Sequence, residues 1–326
     1  MTLPDSLEPS DHDRHPFAAV VRAIGRGPGR GRSLTLLEAR AAMTAMLAGA
    51  VRREQIGALL MLLRYRAETP EETAGFVQAV LAHTPHPALG RDIDWPSYAD
   101  GAPRIAPWHF AAAKLVATAG LTTVFHGPLG GPGREHIAAA LAALDIPMVD
   151  QPASSAPVIF CPVERFAPRF ADLLDLRGVL GLRSPLNTVA RLTNPFQSRV
   201  TFDGVFHPPY LALHLAAAAL LGHRSLGVVK GGGGEALRTP VKPVTLHWLH
   251  EGAVAETLWP PLGADTPAPP AAPTDAAHMA AVWAGADDPR AVAAIIGTAA
   301  IALYIAGRAA SPAAAEALAT SLWRAR

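Results

Sequence analysis

Apolar residues recur at helical spacing through the first quarter of the chain, and the period then changes. Leu36, Ala39, Met43, Met46 and Leu47 share one face of a helix that Thr35 caps, with Glu38 at capping-box spacing. Gly49 stops that run. Ile56, Leu59, Leu60 and Leu63 predict a second helix over 53–66. Thr69, followed by Pro70 and then Glu71 and Glu72, opens a third, because proline suits the first helical position and carboxylates suit the positive helix end. Short helices on short turns predict a helical domain over residues 16–90, with a helical return near 164–193.

The proline-rich stretch His83–Pro107 breaks this pattern and marks the boundary to a second domain over 91–326. It contains the cluster Asp92-Ile93-Asp94-Trp95-Pro96-Ser97-Tyr98, whose paired aspartates read as exposed loop residues or as a Mg²⁺ or acid–base pair. Beyond Trp108 the pattern alternates. A helix to Ala119 precedes strands at Thr122–Phe125 and Val158–Phe160, and further strands are predicted at Val200–Phe206 and Ser225–Lys230. Strands alternating with helices predict an α/β domain with a mostly parallel central sheet. A proline-rich excursion, Trp259–Pro273, leads into two closing helices, and no internal repeat is evident.

The candidate chemistry centres on FHGPLGGPGREH, residues 125–136, between an apolar strand and an alanine-rich helix over 137–144. A strand, a glycine turn and a helix present backbone N–H groups to an anion. Gly127, Gly130, Gly131 and Gly133 allow close approach, and Arg134 adds a fixed positive charge. The same glycines equally serve a plain βα turn. A second glycine run, 231–234, follows Lys230 at another strand end and is bordered by Glu235, Arg238 and Lys242.

Composition narrows the classes. With 28 Lys and Arg against 27 Asp and Glu the formal charge is +1, which gives no global pull toward nucleic acid. The basic segment IGRGPGRGR, 24–32, reads as a linker or as a phosphate-contacting arm. The single cysteine, Cys161, excludes an internal disulfide and a thiolate metal cluster. The polar first residues predict no secretory leader, and the apolar run 291–307 reads as a buried core helix. A cytoplasmic protein with no membrane partner is expected.

Several segments, in order, resemble the anthranilate phosphoribosyltransferase family, glycosyltransferase family 3, whose fold also serves pyrimidine-nucleoside phosphorylases. Residues 34–76 are similar to its N-terminal helical domain, LRGVLGLRSPLNTVARLTNPF (176–196) to its LGIRT…N…PLTNP signature, GVFHP (204–208) to its GVYHP, and AAIALYIAG (299–307) to its AAAALYVAG helix. The resemblance implies a helical domain hinged to an α/β domain, and a homodimer through the helical domain. It also implies transfer of a ribosyl or phosphoribosyl group from a pyrophosphate- or phosphate-activated donor. Three motifs depart from the family. The GTGGD glycine loop is replaced by YADGAPRIAP (98–107); KHGN survives only as His126 and Gly127; and DGLDE becomes KGGGGE (230–235). By position Arg177 corresponds to the acceptor-binding arginine, and Asn194 and His207 match as well.

The resulting expectation is an anion site for a phosphorylated sugar or nucleotide-like ligand, held by His126, Gly127, Gly130, Gly131, Arg134 and Lys230, with Arg177 orienting the acceptor. Glu235 is the one carboxylate left in the second loop for Mg²⁺, and a lone carboxylate holds that ion weakly. No residue stands out as a general base. The alternative is a non-catalytic dimer of the same fold that binds nucleic acid through a basic surface, as a divergent branch of the family does. Its candidate residues are Arg22, Arg26, Arg30, Arg32, Arg52 and Arg53.

Overall fold

The computed structural model describes residues 3–7, 10–27, 29–84, 89–99, 106–130, 134–150, 154–262 and 276–326. The helices α1 (Ala18–Gly25), α2 (Leu36–Leu47), α3 (Arg53–Arg66) and α4 (Pro70–His83) come first. Then follow β1 (Ile93–Pro96), α5 (Trp108–Ala117), β2 (Thr123–Gly127), α6 (Glu135–Ala143) and β3 (Val158–Pro162). Four short helices, α7 (Val163–Phe166), α8 (Pro168–Leu174), α9 (Leu176–Leu180) and α10 (Leu186–Arg191), lead into β4 (Val200–Val205). The chain continues through α11 (Pro209–Leu220), β5 (Ser225–Lys230), β6 (Val244–His250) and β7 (Ala253–Trp259), and closes with α12 (Ala276–Trp283), α13 (Pro289–Ile305) and α14 (Pro312–Ala325). The chain divides into two compact units. One comprises Met1–His86, Ala167–Pro195 and Ala216–Gly222; the other comprises Pro87–Phe166, Phe196–Leu215 and His223–Arg326.

In the helical unit α2 lies against α4 so closely that a Cβ on Gly75 would meet the Leu36 carbonyl at 2.3 Å. Both helices start with full capping boxes, Thr35 with Glu38 and Thr69 with Glu72. Those two glutamates do more than cap. Glu38 also receives Arg32 and the Ser6 hydroxyl, and Glu72 receives Arg66 and the Leu34 N–H. The helix α1 opens the expected helical domain and runs into the basic glycine segment, and its period is not readable because eight residues are too few to establish one.

The α/β unit is built on a seven-stranded sheet in the order β3-β2-β1-β4-β5-β6-β7. The first four pairings are parallel, while β6 and β7 run antiparallel at one edge. Strand β1 lies inside the proline-rich stretch that reads as a domain boundary. Its Pro96 is the last strand residue, where a missing N–H costs little.

Period-two alternation then sorts the central strands. Trp95, Phe125, Phe160 and Phe202 share one face and are fully buried with Phe110 of α5 and the long apolar helix α13. The rings of Trp95 and Phe202 lie 4.8 Å apart, as do those of Phe110 and Phe125. The opposite face carries Asp94, His126, Cys161, Thr201 and Asp203, all buried. The aspartate at 94 is therefore a strand residue with no exposed surface, not the exposed loop residue its neighbours in sequence suggest. No helix among the described residues is long and apolar enough to cross a membrane.

Burial raises the Glu38 carboxyl, but the hydrogen bonds from Arg32, Ser6 and Thr35 outweigh it and hold the group down at about 2. A carboxyl with a lowered folded-state pKa contributes stability above its unfolded value, and that contribution is lost as pH falls through the folded value. Glu38→Gln is expected to lower stability at pH 7 by on the order of 2–3 kcal/mol and to have little effect at pH 2. Urea midpoints measured across that range check it; a pH-independent difference would show that Glu38 acts by packing alone.

Candidate functional site

Ligands of open α/β sheets collect beyond the carboxyl ends of the strands. Here a cavity lies at the ends of β1, β2 and β5, lined among others by Ser97, His109, Arg134, His136, Gly233 and Glu235. Its walls are set by one short segment, residues 97–99, which leaves β1 and is pinned at every residue. Ser97 N–H donates to the His126 carbonyl at 2.9 Å, and its hydroxyl lies 3.4 Å from His109 Nε2. The Tyr98 hydroxyl lies 2.9 Å from His126 Nδ1. Ala99 N–H donates to Glu235 Oε1 at 2.6 Å.

The expected site residues separate into different roles. His126 is fully buried, with Tyr98 on one ring nitrogen and Asp94 Oδ1 at 3.1 Å from the other, so it braces the strand ends. Gly127 is required for packing: a Cβ there would meet the Ser97 carbonyl at 2.1 Å. Leu129 N–H and Gly130 N–H both donate to Glu164 Oε1, at 2.9 and 2.8 Å. Arg134 donates to the Gly130 carbonyl and lines the cavity. Gly131, Gly133 and most of the segment that replaces GTGGD lie outside the described residues. Lys230 is exposed at the end of β5. Arg177 lies on α9 of the helical unit.

The second glycine run is also explained first by packing. Gly231→Val205, Gly232→Leu237 and Gly234→Gly231 backbone bonds close it into a single 3-10 turn. A Cβ on Gly231 would stand 1.6 Å from the Glu235 carbonyl, and one on Gly204 2.2 Å from the Glu235 carbonyl carbon. The backbone at 235 is thus wedged between two glycines, which aims its carboxylate at Ala99. Arg238, expected to charge this loop, points into the core instead. It is fully buried, donates to Glu316 at 2.7 Å and lies 5.3 Å from the Trp259 ring centre.

Mg²⁺ demands octahedral oxygen ligands and is usually held by one or two carboxylates plus substrate phosphates. Glu235 Oε1 is committed to a backbone N–H, and no group of three or more His, Cys, Asp or Glu among the described residues could hold a metal. These residues do not fit a protein-held Mg²⁺ site. Cys161 is no nucleophile either, since burial pushes its thiol up to about 12.

Sequence reasoning missed Glu164, which lies outside any glycine motif, and the second buried pair, Asp203 with His214. Asp203 Oδ2 lies 2.6 Å from His214 Nδ1, and Oδ1 accepts the Gly204 N–H at 2.7 Å. The DxxxxxxxxxxH spacing, strand to helix, carries no recognisable signal.

A helical unit and a mostly parallel α/β unit with a cavity at its strand ends define a family 3 type glycosyltransferase fold. Residues 21–84 match the glycosyl transferase family, helical bundle domain. The chain is 30% identical over 298 residues to the anthranilate phosphoribosyltransferase of Pyrobaculum aerophilum, covering 88% of this chain and 89% of that one. It therefore belongs to the anthranilate phosphoribosyltransferase family. An uncharacterised protein of Aquifex aeolicus is 29% identical over 61% of this chain, a match that spans 63% of that protein's length. The fold is also that of the Saccharomyces cerevisiae anthranilate phosphoribosyltransferase solved with phosphoribosyl pyrophosphate and Mg, with a TM-score of 0.75, 15% identity and coverage of 95% and 94% of the two chains.

Gly231→Ala is expected to destabilise the α/β unit by about 2–4 kcal/mol, because the turn must open to admit the methyl group. Gly178→Ala, where nothing lies within 4 Å, should be neutral or slightly stabilising. Denaturation midpoints of the two variants check this; equal midpoints would refute the wedge at Glu235.

Proposed function

We propose that the cavity at the ends of β1, β2 and β5 binds the phosphate or pyrophosphate end of an activated pentose. The protein is then a transferase that passes a ribosyl or phosphoribosyl group to an acceptor. The observation that carries this reading is the placement of Arg134, beside His136, in a cavity between two glycine turns at strand ends. A guanidinium there meets phosphate oxygens in pairs. The reaction needs positioning and charge neutralisation more than covalent help from the protein. As the bond from the sugar's anomeric carbon to the leaving oxygen lengthens, positive charge grows on the sugar and negative charge on the departing phosphate. Arg134 neutralises the latter, with Lys230, exposed at the end of β5, as a second cation. The clamp on residues 97–99 holds the segment that enters the altered donor loop. Arg177 is the acceptor residue on the family pattern alone. Any Mg²⁺ arrives on the donor's phosphates, as the pairing of phosphoribosyl pyrophosphate with Mg in the yeast enzyme supports.

A homodimer through the helical unit is part of this proposal. Leu37, Tyr65 and Val179 of that unit are 65%, 94% and 82% exposed, which supports an apolar partner surface there. For the nucleic-acid alternative the support is thinner. Arg22 and Arg32 are committed to Asp13 and Glu38, leaving Arg26, Arg30, Arg52 and Arg53 as exposed cations of the candidate patch.

Calorimetric titration with phosphoribosyl pyrophosphate, with and without Mg²⁺, tests the donor site. Saturable binding is expected, weakened about tenfold or more in Arg134→Ala. Absence of donor binding together with salt-dependent binding of a short DNA duplex would replace the transferase reading by the nucleic-acid one. Tyr65→Glu is expected to shift the protein toward monomer in light scattering; an unchanged mass would remove Tyr65 from the dimer surface.

A further inference from the structure

An internal carboxylate sits where the first glycine loop is built to receive an anion. Glu164 lies two residues beyond the end of β3, and β3 pairs with β2 so that Pro162 stands opposite Gly127. That register sets the first turn of α7 beside residues 128–130. Two consecutive backbone N–H groups, from Leu129 and Gly130, converge on the single oxygen Oε1 at 2.9 and 2.8 Å. Successive amides meeting one oxygen is the way a backbone nest receives a phosphate or carboxylate oxygen. The other oxygen, Oε2, is buried and has no hydrogen-bond partner among the described residues. A Cβ on Gly130 would approach Oε1 to 3.3 Å, so the glycine also leaves room for the carboxylate. The Arg134 guanidinium grips the Gly130 carbonyl, holding the same residue from its other end. Gly130 itself is exposed.

We propose that Glu164 is the specificity-determining residue of this loop: it occupies the amide pair of Leu129 and Gly130 and competes with a ligand phosphate for them. The inference rests on the reading of the neighbouring cavity as a phosphate site. Two N–H groups already committed to one carboxylate oxygen have no proton left for a phosphate oxygen. A second anion beside the first is also repelled. A phosphate therefore docks on the loop only when Glu164 withdraws, and otherwise meets Arg134 alone. The buried second oxygen makes withdrawal easier, because solvation of Oε2 repays part of the lost contacts. The loop thereby discriminates by charge. A ligand with a single weak anion leaves Glu164 in place, and a pyrophosphate displaces it.

Inorganic pyrophosphate titrated calorimetrically into the full-length wild type, Glu164→Ala, Glu164→Gln and Glu135→Gln tests this. Glu135, exposed in the first turn of α6, serves as a carboxylate of equal charge near the same loop, and the described amides of Leu129 and Gly130 donate to Glu164 instead. Glu164→Ala is expected to bind roughly tenfold more tightly than wild type, the scale of one charge-assisted hydrogen bond regained. Glu164→Gln should fall between them, and Glu135→Gln should match wild type. A residue with only a structural role would weaken binding on removal, so tightening is the diagnostic sign. Equal binding by wild type and both Glu164 variants overturns the competition while leaving the phosphate site intact. So does equal tightening in Glu135→Gln, which would mean simple charge repulsion. If Glu164→Ala melts early, Glu164→Gln against Glu135→Gln decides, a tighter Gln at 164 supporting the proposal and equality overturning it. Absence of pyrophosphate binding in every protein overturns both the inference and the site it rests on.

Discussion

The bond from Ala99 N–H to the Glu235 carboxylate ties together segments beyond β1 and β5 that are far apart in sequence. Glu235 is 8% exposed, so this is a charge-assisted hydrogen bond in a largely dry setting, and breaking it leaves a buried amide or a buried charge behind. Its geometry depends on glycines placed where a side chain would clash with backbone. Gly204 and Gly231 admit the backbone at 235, and Gly127 admits the backbone at Ser97. Close approach on both sides of residues 97–99 is thus built into three strand ends. The site above them is an outcome of how β1, β2, β4 and β5 are packed at their tips.

The same strands place opposite demands on the two faces of the sheet. Aromatic packing on one side fixes register, because a slip of one residue would exchange Trp95, Phe125, Phe160 and Phe202 for Asp94, His126, Cys161 and Thr201. The other side accepts two buried His–Asp pairs, His126 with Asp94 and His214 with Asp203, an arrangement with less tolerance for change. An apolar replacement of one partner would strand the other. The aromatic face supplies stability, and the polar face supplies orientation for His126, Tyr98 and the segment they hold.

Much of this was legible before any coordinates. The caps at Thr35 and Thr69, the strands after Leu121 and at 158, 200 and 225, and the apolar helix α13 follow from period and capping chemistry. What escaped has physical causes. Strand β1 is short, polar at Asp94 and ends in proline, so it lacks every usual strand mark except Ile93 and Trp95. The hairpin of β6 and β7 lies at an exposed edge, where alternation is weak: Val254 and Leu258 face solvent. In the site, the glycines were visible but their purpose was not. A glycine that admits a ligand and a glycine that admits another stretch of backbone look the same in sequence. Glu164 had no signal at all, because its partners are N–H groups, which every residue but proline carries.

The loss of open amides changes what kind of recognition remains. A nest of N–H groups is fixed in direction and selects a ligand by geometry. Arginine and lysine side chains select mainly by charge, with arginine adding a planar fork. Here the loop after β2 spends two amides on Glu164, and the glycine run after β5 spends three on the carbonyls of Val205, Leu237 and Gly231. On the proposed phosphate reading, recognition among the described residues shifts to Arg134, His136 and Lys230. Side-chain cations adapt to ligands of different shape, and their hold weakens with salt more steeply than a buried backbone cradle does. On that reading, a family fold whose cradle is closed from within trades a strict phosphate geometry for a charge-based one.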